Sequence, residues 1–217
     1  MKKFFYKLTG VTDLIMNRDD VDHADAVKAW TKTPEGKSGA AGDDRSPAWK
    51  WTGCLYRSSD EAAIAMPTAN IIKCLIKAGS RVIMKKTTSY KEAVASLVTL
   101  PGTYHRFLVG GKEVSVADIL SLKDKPFEEQ AAHAMELGFK LLVKRATVGS
   151  SKHIRVRPMF ADWSVEGEGR IMDESVIKND VLDKVFEGAG YLGLGDWRPS
   201  SPKSPGSYGM FTAKLKF

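Results

Sequence analysis

Four glycines fall within eight residues near the C-terminus, at Gly188, Gly190, Gly193 and Gly195, and the chain then closes on the alternating segment Met210-Phe-Thr-Ala-Lys-Leu-Lys-Phe217. Glycine reaches backbone conformations with positive φ and lets another chain approach the main-chain amides closely. The run therefore predicts a glycine loop feeding a terminal strand. Tyr191, Trp197 and Tyr208 add flat aromatic faces around it. Arg198, Lys203, Lys214 and Lys216 add positive charge, with no acid after Asp196. Aromatic faces beside cations suit an unpaired, phosphate-bearing strand. A helix C-cap leading into an edge strand accounts for the glycines alone equally well.

The rest of the chain supplies elements for that strand to join. Phe4, Tyr6 and Leu8 alternate with Phe5, Lys7 and Thr9, predicting an opening strand within Lys2–Met16. The clearest helix starts at Met66-Pro-Thr, with Thr68 as N-cap and Gly79 as its end. Ile71, Ile72, Leu75 and Ile76 form its apolar stripe, and Lys73 and Lys77 share its exposed face. Tyr90–Val98 predicts a second helix, Leu108–Val114 a Gly-Gly hairpin, and Phe127–Leu142 a helix weakened by Gly138. Ile154–Ile171 predicts a bent strand or a pair of strands, because Pro158 cannot donate to a central ladder. Glu174–Gly188 predicts an amphipathic helix.

Residues 17–60 read differently. A short predicted helix at Asp22–Trp30 precedes Thr33-Pro-Glu-Gly-Lys-Ser-Gly-Ala-Ala-Gly-Asp-Asp-Arg-Ser-Pro, a turn-forming stretch unusually long for a compact domain. Trp49, Trp51 and Tyr56 then predict a return to extended structure. The expectation is one domain over residues 1–217, with residues 17–60 as a mobile insertion. Its class is α+β, an antiparallel sheet with helices on one face.

Charge narrows the function. The chain of 217 residues carries a formal net charge of +7. Lys73, Lys77, Arg81, Lys85, Lys86 and Lys91 form one block without an acid, and Lys140, Lys144, Arg145, Lys152, Arg155 and Arg157 form another. With the basic tail they predict a composite polyanion surface if they converge, and solvated faces if they do not. No run is long and apolar enough for a membrane span, and the apolar stretch after Met1-Lys-Lys is too short and broken for a signal peptide. Cys54 and Cys74 lack metal-site spacing, which predicts reduced core thiols in a cytoplasmic protein.

Together these pieces resemble the RAMP superfamily, RNA-recognition-like proteins that build CRISPR effector complexes and process their guide RNAs. The resemblance rests on the strand starting almost at residue 1, on Met66-Pro-Thr-Ala-Asn-Ile-Ile-Lys-Cys-Leu, and on Gly-Leu-Gly followed by Gly206-Ser-Tyr-Gly-Met-Phe. Leu194-Gly-Asp-Trp-Arg-Pro is also similar to a group of small bacteriophage proteins related to the CRISPR backbone subunit. The resemblance covers scattered motifs, and there is no second glycine-loop domain. It implies a ferredoxin-like core, nucleic-acid binding and side-by-side assembly along a strand.

Catalytic signals are weaker. His105, beside Tyr104 and Arg106, is the candidate acid or base of a metal-independent endoribonuclease. His23 lies among Asp20, Asp22 and Asp25, which read as a divalent-ion site or as a solvated acidic helix start. Gly188-Ala-Gly-Tyr-Leu-Gly fits a dinucleotide-binding pattern in letters, but it follows a predicted helix where that motif needs a strand. No cofactor is implied. The expectation is therefore a non-catalytic protein that binds single-stranded RNA or DNA and self-associates. Lys85, Lys86, Arg155, Arg157, Arg198 and the amides at Gly193 and Gly195 would hold phosphates, and Tyr191 or Trp197 would stack on bases. An endoribonuclease and a mimic of a host CRISPR subunit are the alternatives.

Overall fold

The computed structural model describes residues 1–37, 47–148, 151–202 and 205–217, with main chain alone for 145–148 and 151–153. The opening alternation becomes strand β1 (Lys2–Gly10), which buries Phe4, Tyr6 and Leu8 and exposes Phe5 and Lys7. It leads to the short β2 (Leu14–Ile15), helices α1 (Val21–Trp30) and α2 (Pro34–Lys37), and a 3-10 helix at Ala48–Cys54. Next come β3 (Ala65–Pro67), α3 (Thr68–Gly79), the small hairpin β4 (Ile83–Lys85) and β5 (Thr88–Ser89), α4 (Lys91–Leu97), β6 (Val98–Thr99) and β7 (Tyr104–Val109). Helices α5 (Val116–Leu120) and α6 (Phe127–Glu136) lead to the long hairpin β8 (Phe139–Val148) and β9 (Ser151–Phe160). The chain finishes with β10 (Trp163–Ile171), α7 (Asn179–Leu192) and β11 (Phe211–Lys216).

The protein is α+β, built on antiparallel sheets. The larger sheet runs β11-β1-β10-β7-β3, with β6 pairing the far end of β10. Its inner face is closed by α3 and α7: Phe4 meets Phe186 of α7 edge-on at 6.0 Å between centroids, and Leu75 of α3 belongs to the same core. Two of the inner positions on β10 are Gly167 and Gly169, opposite Tyr6 and Phe4. A Cβ at Gly169 would strike the Phe4 ring, and one at Gly167 would strike Tyr6 and His105. The central strand thus leaves its neighbours' rings to fill the core. A second sheet, β2-β9-β8, joins this core through the Phe107–Phe160 ring contact at 5.2 Å, with Phe139 of β8 against Phe160 of β9 at 5.1 Å.

Several expectations need correction. The Trp49–Tyr56 stretch is not extended through Cys54. The Thr52 hydroxyl bonds the Trp49 carbonyl at 2.9 Å in a 3-10 turn, and the buried Trp51 indole donates to Gln130 Oε1 at 2.7 Å. In residues 17–60, α1 follows the predicted helix and the 3-10 segment packs into the core, while residues 38–46 lie outside the described set. The last helix begins at Asn179 rather than Glu174, because the Asp173 carboxylate accepts from the Ser175 amide and hydroxyl and holds a turn there. It then continues through Gly188 and Gly190, so half of the predicted glycine loop is helical. At Gly190 a Cβ would collide with the Phe211 carbonyl oxygen of β11, so the close packing of helix on strand requires glycine. Thr68 does not cap α3; its hydroxyl donates to the Gly102 carbonyl at 2.7 Å. Pro158 fits within β9 because its flanking partner β2 stops at Ile15, opposite Met159.

Candidate nucleic-acid interface

The loop after α7 is pinned to β2. Gly193 turns the chain at φ 74° while its N–H donates to the Ala189 carbonyl. Leu194 N–H donates to Gly209 O at 2.9 Å and Asp196 N–H to Ile15 O at 2.8 Å. Gly195, at φ 77°, lies so close to the Ile15 carbonyl that a Cβ would overlap it. Trp197 N–H bonds the Asp196 carboxylate at 3.0 Å. The Gly193, Leu194, Asp196 and Trp197 amides thus already have acceptors inside the protein, so of the two amides expected to hold phosphate that of Gly193 is taken.

The next residue takes up an unusual conformation. Trp197 sits at φ 49°, in the left-handed region that non-glycine residues seldom occupy. That conformation presents a half-buried indole to the β8–β9 hairpin, where the Lys144 ammonium lies 4.4 Å from the ring centroid. Tyr208 lies on another side, 6.3 Å between centroids. Arg157 of β9 faces the same loop. Its Nε is 3.9 Å from Asp196 Oδ2, and its Nη1 reaches Cys54 Sγ at 3.4 Å and donates to the Val156 carbonyl at 3.2 Å. Arg198 folds back on its own turn, donating to Gly195 O at 2.6 Å and Ser200 Oγ at 3.2 Å. Lys77 of α3 donates to Ser200 O at 2.8 Å.

Two cavities lie in this region. One, of about 180 Å³, is lined by Asn70, Lys73, Lys77, Gly195, Arg198 and Ser200. The other, of about 370 Å³, opens between the 3-10 helix and the hairpin, with Lys50, Trp51, Phe127, Arg155 and Arg157 on its walls. Burial pushes the Cys74 thiol up to about 12 despite the nearby Arg198 and Lys77, so it is a neutral wall atom rather than a nucleophile. Burial likewise raises the Cys54 thiol against the pull of Arg157. Both cysteines are free.

Of the residues expected to bind, Arg155, Arg157, Gly193, Gly195, Trp197 and Arg198 belong to this region. Lys85 and Lys86 do not join it: they lie exposed on the β4–β5 hairpin, Lys86 at φ 50°, with no bond to the loop among the described residues. Tyr191 lines a different groove, between α7 and β11. Lys203 lies outside the described residues, as do the side chains of Arg145, Lys152 and His153. Sequence reading did not place Lys144 on Trp197, Asp196 on Arg157, Lys73 and Lys77 beside the loop, or Lys50 beside Arg155 and Arg157. The four-residue spacing of Lys73 and Lys77 was the one usable signal.

His105 is corrected as a candidate acid or base. It is 6 % exposed, its ring centroid lies 5.5 Å from that of Tyr6, and its Nε2 has no partner inside the core. Burial depresses its pKa, with Glu168 pulling weakly the other way. Among the acids near His23, Asp20 caps α1, its carboxylate accepting the His23 N–H at 3.1 Å, and no metal-holding cluster occurs among the described residues. None of the described helices is long and apolar enough to cross a membrane. No protein-family model matches the chain, and neither does any curated protein.

Proposed function

We propose that this is a non-catalytic protein that binds single-stranded RNA or DNA across the face formed by β8–β9, the Gly195–Ser200 turn and the Lys73–Lys77 face of α3. The observation that carries the reading is convergence. Lys73, Lys77 and Arg198 line one cavity and Arg155 and Arg157 another, while Arg157 reaches Asp196 of the loop and Lys144 lies over the neighbouring Trp197 ring. Phosphates would lie against Lys73, Lys144 and Arg155, while Arg157 and Arg198 also hold the loop in place. A base would stack on Trp197, a contact worth about 1–3 kcal/mol.

We further propose that the core is ferredoxin-like and of the RAMP type, as found in phage relatives of CRISPR backbone subunits, and that copies assemble side by side along the strand. The order of the four long strands supports the first part. Numbered by chain position they run fourth, first, third, second (β11, β1, β10, β7), with α3 between the first and second and α7 between the third and fourth. The β8–β9 hairpin then interrupts the link between the second and third.

Fluorescence anisotropy with labelled single-stranded RNA and DNA, at low and moderate salt, tests the binding. Tight, salt-sensitive binding that weakens about tenfold in Trp197→Ala and Arg155→Ala is expected. Absence of binding to both strands, or binding indifferent to both substitutions, removes this site.

A further inference from the structure

Strand β11 is the edge of the larger sheet: one side pairs with β1, and no described strand pairs the other. Helix α7 packs against β11 at Gly190, over the Phe211 carbonyl, and a groove of about 690 Å³ is lined by both elements. Its floor is apolar, from Met210, Phe211, Ala213 and Leu215, with the 61 % exposed Val11 and Tyr191 at its borders. Its helical wall is acidic. Asp180, Asp183 and Glu187 face it, and Lys184 answers only at 4.0 Å from Asp180. This local excess of negative charge stands out in a chain of net charge +7.

We propose that this groove takes an extended basic segment of a partner protein, which adds to β11 as an edge strand with every second side chain basic. An edge strand offers its unpaired N–H and C=O groups to any extended chain, and pockets for alternate side chains give selectivity. An added strand alternates its side chains between the two faces of the sheet. On the α7 face, Lys or Arg stems would cover Phe211 and Leu215 while their charged ends reach Asp183 and Glu187. On the other face they would meet Lys214 and Lys216, which disfavour cations there. The occupant is therefore alternately basic and small or polar, not uniformly basic. Burial and the neighbouring Asp180 both raise the Asp183 carboxyl above its ordinary value, a strain that an adjacent cation relieves. Nucleic acid is repelled from the same wall, so the groove is separate from the proposed strand-binding face and does not depend on it.

The probe is the capped peptide Thr-Arg-Thr-Arg-Thr-Arg-Thr carrying a fluorophore, measured by anisotropy against the intact protein. Its comparison is a peptide of the same composition with the arginines in one block. The alternating peptide is expected to bind at least tenfold more tightly than the block peptide, and to lose at least tenfold in Asp183→Lys and Glu187→Lys. Both positions are exposed on α7, and a circular dichroism melt confirms that each variant folds. Hydrogen exchange of the β11 amides should slow on binding. Equal affinity for the two peptides, wild-type affinity in both variants, no detectable binding, or unchanged exchange in β11 overturns the proposal. Self-association of the unliganded protein that Glu187→Lys abolishes also overturns it, because the occupant is then a second copy.

Discussion

In the free protein the stacking face of Trp197 is occupied by Lys144, 4.4 Å from the ring centroid. A base that stacks there must first displace the ammonium. An exposed cation–π pair is worth about 0.5–1 kcal/mol, so releasing it weakens strand binding about two- to fivefold. Lys144 also brings charge to the strand, and each phosphate contact steepens the salt dependence of log K by about 0.7 for a single strand. Lys144→Met keeps the stem and removes both effects, which have opposite signs. A tenfold rise in salt should therefore cost the variant about fivefold less affinity than it costs the wild type. The variant should bind more weakly at low salt and converge on or overtake the wild type at high salt. Anisotropy titrations over a salt series read this directly, with Trp197→Ala as the second background. Parallel salt lines for wild type and variant would show that Lys144 touches no phosphate. An identical gain at high salt in the Trp197→Ala background would refute the competition for the ring.

Two further expectations concern the scaffold. Trp51→Phe orphans the Gln130 amide oxygen in a site where both residues are nearly inaccessible, so it should cost about 1–3 kcal/mol in urea unfolding. A loss below about 0.5 kcal/mol, the level of a neutral surface change, would place the 3-10 segment outside the cooperative core. His105 is held below its ordinary pKa by burial, so the unfolded chain takes up its proton first as pH falls through about 6.5. Its contribution to stability is present above that value and is lost on acidification, at up to about 1.4 kcal/mol per pH unit until the folded-state pKa is reached. His23 is shifted the same way, so the test is the difference between wild type and His105→Leu. Urea midpoints at about pH 7 and pH 5.5 should fall less in the variant, and equal falls would contradict the assignment.

Local signals in the sequence were readable where one residue's neighbours in space are also its neighbours in the chain. The β1 alternation and the apolar stripe of α3 are of that kind, and both elements formed where the pattern placed them. The glycine run misled because Gly188 and Gly190 serve a tertiary need. Gly190 thins the helix so that β11 can approach, a reason that lies more than twenty residues away at Phe211, while Gly188 faces Ala78 of α3. The Trp49–Tyr56 stretch misled for a similar cause: its shape is set by a buried acceptor on α6. Half of the candidate site was legible as residue types, and its assembly was not. Arg157 meets Asp196 and Lys144 meets Trp197 only because β9 pairs with β2 and the loop hangs from Ile15. Lys85, Lys86 and Tyr191 carried the same chemical signature but are displayed elsewhere.

The middle of the larger sheet joins chain segments that leave the ribosome far apart in time. Strand β1 is made first, yet its two partners are β10, which begins at Trp163, and β11, which ends at Lys216. At roughly 5–20 residues per second, Phe4, Tyr6 and Leu8 wait for many seconds before any strand can pair beside them. Because β10 offers glycine where the Phe4 and Tyr6 rings lie, those two rings reach their final packing only once β10 has been made. Truncations before β10 leave Phe4 and Tyr6 without this strand, and should depend on holdase chaperones for solubility.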